Sequence, residues 1–232
     1  MLAVVSTVAP AADFKIGFVN GERLLREWEL DWLDGYENSK PVRVGNAAHE
    51  QLQLDVFGEV MAALHQARVG GIAELPDAWE LEKKLLERLE TVWQQPDQSI
   101  WETRGKPQHF THSKVMAWVA FDCAIKSAEQ FELDGPIDKW RATRDRIHAE
   151  ICERAFDTTV NAFTQSYDSK LADASTLVIP LVGFLPADDP RVRGTVAFVE
   201  KHLLVEGFVL RYDSSATDDG LPPGEGAFLA CS

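Results

Sequence analysis

The sequence is poor in cysteine and carries no excess of positive charge. Three of its 232 residues are cysteines, and their spacing shows no pairing, so we expect reduced thiols rather than a disulfide framework. The formal net charge of −14 disfavours nucleic acid and anionic membranes as partners. Residues 1–12 are apolar but lack a basic start and are too short to span a bilayer. Together these features favour a cytoplasmic protein.

Long strands of alternating polarity are also missing, and helical spacing takes their place. Apolar residues recur with the period of a helix over residues 47–68, 77–94, 111–131, 137–156, 172–182 and 189–204. Short extended pieces such as residues 208–212 fall in the connections between them. With 45% hydrophobic residues the chain is able to bury a substantial core. We therefore predict an all-α fold.

The links between the predicted helices alternate in length. The short links are residues 69–76, 132–136 and 183–188, and the long links are residues 95–110, 157–171 and 205–225. If successive helices run antiparallel, all the long links gather at one end of the bundle. Binding and catalytic residues are concentrated on such loops, so we expect the functional face at that end.

The predicted helices also differ in character. The helices over 111–131 and 172–182 are nearly apolar, whereas those over 77–94 and 137–156 carry charged stripes. An apolar helix is buried on all sides and a striped one on a single side, so the first pair is expected to be inner and the second outer. Inner and outer helices joined as hairpins form an α/α toroid.

Two of the long links contain a glutamate in a distinctive setting. Glu102 follows Trp101, and Glu225 lies between Gly224 and Gly226. Hydrolysis of a sugar acetal needs two carboxyl groups that face one another across the scissile bond. The indole would favour a protonated acid and offer a flat face to a sugar, while the glycines permit close approach of the backbone. A solvated glutamate beside a packing tryptophan is the alternative interpretation.

Several longer runs of the sequence carry a family resemblance. They are residues 40–48 (KPVRVGNAA), 51–60 (QLQLDVFGEV), 99–105 (SIWETRG), 109–118 (HFTHSKVMAW), 183–186 (GFLP) and 224–228 (GEGAF). Together they resemble the bacterial branch of glycoside hydrolase family 15, which contains glucoamylases and trehalases. The resemblance implies an (α/α)6 barrel and inverting hydrolysis of α-glucosidic bonds, with Glu102 as general acid and Glu225 as general base. No cofactor is expected.

The resemblance also suggests residues that hold the sugar. Arg211 and Tyr212 resemble the Arg-Tyr pair that holds sugar hydroxyls in the family, although they could equally brace a loop. Arg43 lies in the region that holds the terminal glucose, with pairing to a carboxylate such as Asp55 as the alternative. Trp101 is expected to contact the substrate.

Two further cations stand close to the proposed acid in the sequence. Arg104 and Lys114 are expected to orient Glu102 or a substrate hydroxyl, and a surface salt bridge is the commoner alternative for such residues.

Histidines near the start of the 111–131 helix do not indicate a metal site. His109 and His112 share a helix face, but no cysteine or third histidine follows at ligand spacing. Thr111 or Ser113 is instead expected to cap the helix.

The family pattern is longer than this chain. It includes a β-sandwich and first inner helices with an Arg-Asp pair that binds the terminal glucose, and neither has a counterpart here. We expect residues 1–20 to form an N-terminal extension and residues 21–232 an incomplete (α/α)6 toroid, completed by the missing part of the barrel or by a second copy. Two hypotheses stand: hydrolysis of an α-glucoside, either trehalose or the end of an α-1,4-glucan, or a truncated, inactive helical remnant that at most binds sugar or a partner. Overall resemblance to bacterial members slightly favours trehalose.

Overall fold

A computed structural model describes residues 27–38, 40–72, 77–216 and 228 of the chain. Contacts divide the chain into two compact units, residues 1–52 and residues 53–232. In the first unit, strand β1 (Trp28–Glu29) pairs antiparallel with β2 (Arg43–Val44), which places Glu29 opposite Arg43. Short 3-10 helices at Tyr36–Asn38 and Ala47–Glu50 are the other regular elements of its described part.

The second unit is built mainly of helices. They are α1 (Asp55–Val69), α2 (Ala78–Val92), α3 (Thr111–Gln130), α4 (Ile137–Arg154), α5 (Val178–Leu181) and α6 (Pro190–Leu203), with a 3-10 helix at Ala174–Leu177 before α5. Two-residue strands form the hairpins β3 (Phe156–Asp157) with β4 (Ala162–Phe163) and β5 (Leu204–Val205) with β6 (Phe208–Val209). The predicted helical content is confirmed. Among the helices of the described ranges, none is long and apolar enough to cross a membrane.

Helix α3 lies at the centre of this unit. Every residue from Thr111 to Ile125 is buried, and both α1 and α4 pack on α3. Gly58 allows α1 to approach closely, because a methyl group there would lie 2.2 Å from the carbonyl oxygen of Met116 on α3. In contrast, α2 and α4 bury one side and expose charged residues on the other. The predicted inner and outer layers are confirmed for these helices.

A buried arginine ties three of the helices together. The Arg68 guanidinium on α1 donates to Glu82 Oε1 on α2 at 2.7 Å and to Ser127 Oγ on α3 at 2.9 Å. Its Cζ also lies 5.4 Å from the ring centroid of Trp79. Glu82 is fully buried, so loss of the arginine would break a buried ion pair, at a cost of about 3–5 kcal/mol.

Two predicted helices have different limits in the structure. The helix expected over 47–68 is interrupted, because the Leu54 N–H donates to the Asp97 carboxylate at 3.1 Å and α1 begins only at the next residue. The helix expected over 172–182 begins later as a 3-10 turn, because Asp173 is its N-cap and accepts a hydrogen bond from Ser175 N. A side-chain contact from a distant part of the chain therefore sets the first boundary, and a local cap sets the second.

The predicted cap of α3 is also corrected. Phe110 is its N-cap and provides no side-chain hydrogen bond. The Thr111 hydroxyl, expected as a possible cap, donates instead to the Thr164 carbonyl, and Ser113 is fully buried within the first turn. The hydroxyl that was expected to cap the helix therefore forms its hydrogen bond with a distant loop.

The long connections meet at one end of the unit, as the alternation of link lengths predicts. Isolated antiparallel bridges join Phe110 to Ser166 and Asp173 to Tyr212. The backbone N–H of Thr111 adds a hydrogen bond to the Gln165 carbonyl at 2.9 Å. The face that these connections form is called the long-loop face below.

Gly58→Ala tests the close approach of α1 to α3. The added methyl must displace the backbone at Met116, so the free energy of unfolding is expected to fall by about 1–3 kcal/mol, as for other overpacked cores. Gly70→Ala is the matched control, because the nearest atom to its new methyl lies at 3.3 Å. Urea unfolding followed by circular dichroism measures both variants. Equal stability of the two would contradict the packing described here.

Candidate active site

A tight turn presents Glu102 on the long-loop face. The N–H of Glu102 donates to the Ser99 carbonyl at 3.1 Å, and the N–H of Thr103 donates to the Gln98 carbonyl at 3.0 Å. Ser99 and Glu102 both have left-handed backbones, with φ of 64° and 52°. Such angles are unusual for residues other than glycine and persist where the surrounding contacts enforce them. The turn leaves the Glu102 side chain exposed at its surface.

The ends of this loop are pinned by buried polar groups. Asp97 and Gln108 exchange backbone hydrogen bonds of 2.8 and 2.9 Å, which close the loop at its base. Beneath it the Lys114 ammonium donates to the carbonyl oxygens of Trp93 and, at 2.7 Å, of Gln95. The loop that carries Glu102 is therefore held from both sides of its base.

Of the two predicted roles of Lys114, its position is compatible with orienting Glu102 and not with contact to a substrate hydroxyl. The side chain is fully buried, and burial lowers the pKa of its ammonium group to about 8. An ammonium enclosed in this way and bonded to carbonyl groups is not placed to contact a substrate. It is a structural support of the loop, and the expected surface salt bridge is wrong for the same reason.

Trp101 lies in a cluster of aromatic rings. Its ring centroid is 5.8 Å from that of Tyr212 and 5.0 Å from that of Phe228, both in edge-on geometry. The Arg211 guanidinium lies 5.9 Å from the same indole ring. Its indole N–H donates to both carboxylate oxygens of Asp173, at 3.1 and 3.0 Å. The structure thus brings together Trp101, Arg211 and Tyr212, which sequence reasoning proposed for substrate binding.

The remaining predicted residues fall elsewhere or outside the described ranges. Arg104 is exposed on the loop that follows Glu102. Arg43, in the first unit, pairs with Glu27 Oε1 at 3.4 Å and with Glu29 Oε1 at 3.2 Å. It has the carboxylate partners that the alternative interpretation expected, although Asp55 is not among them. Its role in substrate binding stays a prediction.

Glu225, the predicted base, lies outside the described residues. Phe228, which follows it by three positions in the sequence, is described and contacts the indole of Trp101. The Phe228 N–H also donates to the Val209 carbonyl at 2.6 Å.

Sequence reasoning missed Asp97 and Asp173. Both are buried, and burial raises the pKa of Asp97 to about 6. Asp55 on α1 is coupled to it: burial, with the nearby charges of Glu59 and Asp97, raises the pKa of Asp55 to about 7. The Oδ1 atoms of Asp55 and Asp97 have no hydrogen-bond partner within the described part of the chain. For Asp55, the only signal in the sequence was its place in the run over residues 51–60, which resembles the family. That run does not suggest a role for Asp55.

These contacts define what the long-loop face is able to do. An aromatic cluster with an arginine fork, on a face that also presents an exposed carboxyl, suits a neutral, hydroxyl-rich ligand, because sugars pack on rings and their hydroxyls accept hydrogen bonds from a guanidinium and donate them to a carboxylate. Across the described ranges, no group of His, Cys, Asp and Glu side chains is arranged to hold a metal ion.

Solved structures with the same architecture are glycosidases. A wild-type glycosidase aligns with 77% of this chain and 49% of its own at a TM-score of 0.63, with 18% identity. A variant in complex with glucose aligns over the same shares at 0.62. At this identity the likeness concerns the fold alone, and it confirms a partial (α/α)6 toroid. The sequence profile of Glycosyl hydrolases family 15 matches residues 10–232, so the chain belongs to that family.

Curated relatives of the chain are named trehalases. The trehalase of Thermoplasma volcanium is 42% identical over 207 residues, which cover 88% of this chain and 32% of the relative. That of Mycobacterium tuberculosis is 44% identical over 216 residues, 92% of this chain and 31% of the relative. The chain therefore spans about a third of the length of these curated relatives.

The buried carboxyl pair predicts how stability depends on pH. The folded pKa values of Asp55 and Asp97 lie above the ordinary value of 3.8, so the folded protein holds protons that the unfolded chain has lost. Between about pH 4 and pH 7 this pair therefore makes the free energy of unfolding fall as pH rises, by at most about 1.4 kcal/mol per pH unit for each group.

His112 changes the pH dependence of stability in the opposite direction, so the effect of the carboxyl pair must be isolated. The variant Asp55→Asn does this. Burial lowers the pKa of His112 to about 4, which makes stability rise with pH in the same window. The measured quantity is the difference in slope between Asp55→Asn and the wild type by urea unfolding, with exposed Asp138→Asn as control. We expect Asp55→Asn to remove a negative slope. An unchanged slope would show that Asp55 titrates normally.

Proposed function

We propose that this chain carries the acid and base of an α-glucosidase and that its substrate is trehalose. The observation that supports this most strongly is the long-loop face, where Glu102 follows an indole packed among Tyr212, Phe228 and Arg211. The names of the curated relatives favour trehalose within the family. Because the chain spans about a third of those relatives, the activity is a property to be tested on the chain itself.

The proposed reaction is a single displacement at the anomeric carbon. Glu102 transfers its proton to the glycosidic oxygen as the bond from that oxygen to the anomeric carbon breaks. A water molecule attacks the same carbon from the opposite face, and its proton passes to Glu225. The products are two glucose molecules, and the protons return to their starting positions through solvent. No cofactor enters this balance.

The residues around Glu102 would support this step in distinct ways. The indole of Trp101, which precedes Glu102 in the sequence, and the Tyr212 ring packed against it offer flat faces to a sugar ring. The Arg211 fork is suited to neighbouring sugar hydroxyls. Arg43 and Arg104 are proposed as further contacts.

Glu102→Gln tests the acid. We expect the rate of trehalose hydrolysis to fall by about 10²- to 10⁴-fold, because the leaving oxygen is no longer protonated. Glu132→Gln is the matched control: Glu132 is also exposed and has a left-handed backbone, with φ of 55°, but it lies in the short link between α3 and α4. Glucose release measures both.

A second substrate separates the acid from the base. α-Glucosyl fluoride carries a leaving group that needs little protonation, so Glu102→Gln should lose far less activity on it, whereas Glu225→Gln should lose activity on both substrates. Faster turnover of maltose than of trehalose would overturn the substrate proposal. A folded wild-type chain that releases no glucose would favour the inactive remnant.

We also propose that the remaining part of a barrel, or a second copy, covers apolar side chains of the second unit. Leu181 is 81% exposed and Phe208 is 52% exposed. Large exposed apolar groups often mark such contacts. Specific activity that rises with protein concentration would support assembly, and a constant value would oppose it.

The free thiols of Cys123 and Cys152 fit a cytoplasmic location, which fractionation of source cells would test.

A further inference from the structure

One buried carboxylate lies behind the aromatic cluster. Asp173 is 2% exposed, and within the described part of the chain its carboxylate accepts hydrogen bonds from Trp101, Gln165 and Ser175. Its Oδ1 accepts from the N–H and the hydroxyl of Ser175 at 2.9 and 2.6 Å, and its Oδ2 accepts from Gln165 Nε2 at 3.1 Å. The indole N–H of Trp101 reaches both oxygens, at 3.1 and 3.0 Å.

The backbone around Asp173 adds a second connection. Asp173 forms an antiparallel bridge with Tyr212, and the N–H of Ala174 donates to the Arg211 carbonyl at 2.9 Å. The same residue therefore holds the side chain of Trp101 and the backbone of the segment that carries Arg211 and Tyr212. Two long connections, far apart in sequence, take their relative positions from it.

The hydrogen bond to Trp101 supplies what ring packing cannot. Edge-on contacts with Tyr212 and Phe228 are weak, worth only about 0.5–1.5 kcal/mol each beyond the area that they bury. A hydrogen bond to a buried carboxylate is stronger and directional, so it fixes the plane of the ring. Burial raises the pKa of Asp173, and the donors from Ser175, Trp101 and Gln165 oppose that rise.

We propose that Asp173 is a positioning residue which, through the indole N–H of Trp101, sets the plane of the aromatic surface beside Glu102. The role of that surface in binding sugar rests on the proposed function. The hydrogen bond itself does not, so the two are tested separately.

The indole resonance of Trp101 reports the hydrogen bond directly. In a ¹H–¹⁵N spectrum the full-length chain should give a slowly exchanging, downfield Nε1–H signal, assigned by its loss in Trp101→Phe. Asp173→Asn should move it upfield and speed its exchange at least about tenfold, since a neutral amide is the weaker acceptor. Asp157→Asn is the matched control, because Asp157 also accepts from local donors, Thr159 and Val160, but does not touch an indole.

Near-ultraviolet circular dichroism shows whether each variant remains folded, and Ser175→Ala provides a milder change at the same carboxylate. It removes the 2.6 Å hydroxyl contact and should shift the Trp101 signal less than Asp173→Asn does. A folded Asp173→Asn protein with an unchanged signal overturns the proposal. If Asp173→Asn does not fold, the wild-type spectrum decides: a downfield, slowly exchanging Trp101 signal supports the hydrogen bond, and a rapidly exchanging signal at the position of a free indole overturns the proposal.

Kinetics then separate positioning from general stability. Asp173→Asn should lower kcat/KM for trehalose by about 10- to 100-fold, as for a misplaced substrate contact. In a Trp101→Phe background the same change should have little further effect, because its route through the indole is gone. An equal loss in both backgrounds overturns positioning through Trp101. If the wild-type chain turns over no trehalose, the proposed function fails, while the indole resonance still decides the hydrogen bond.

Discussion

The first turn of α3 is the point on which the rest of the second unit depends. It is buried on every side, yet it contains a lysine and a threonine whose polar groups must find partners inside the protein. Lys114 donates hydrogen bonds to carbonyl groups at the start of the loop that carries Glu102. Thr111 donates to carbonyl groups of the loop that leads to Asp173. The buried first turn of α3 therefore supports two of the long connections at once. This explains how long connections hold a defined geometry.

Much of this architecture follows from the sequence because it depends on local periodicity. Apolar spacing gave α2, α3, α4 and α6 to within a few residues, and the alternation of link lengths placed Glu102 on the face where the long connections meet. Such patterns work because helix faces and link lengths are properties of neighbouring residues.

What escaped prediction depends on contacts between distant segments. The start of α1 is set by Asp97, 43 positions away, and the carboxylate of Asp173 binds the indole of Trp101, 72 positions away. The full burial of Lys114 was not predicted, because lysines are seldom fully buried. The substrate-binding set at Trp101, Arg211 and Tyr212 was suggested by family resemblance. Only the structure shows that these residues are neighbours and that a buried carboxylate joins them.

The central claim is inverting hydrolysis of an α-glucoside by this chain, and its most direct test is the stereochemistry of the first products. Proton NMR of the full chain with trehalose, recorded before the anomers interconvert, distinguishes the outcomes. Inversion predicts α- and β-glucose in equal amounts, because the attacked glucose changes configuration and the departing one keeps it. Formation of α-glucose alone would show retention and contradict the account.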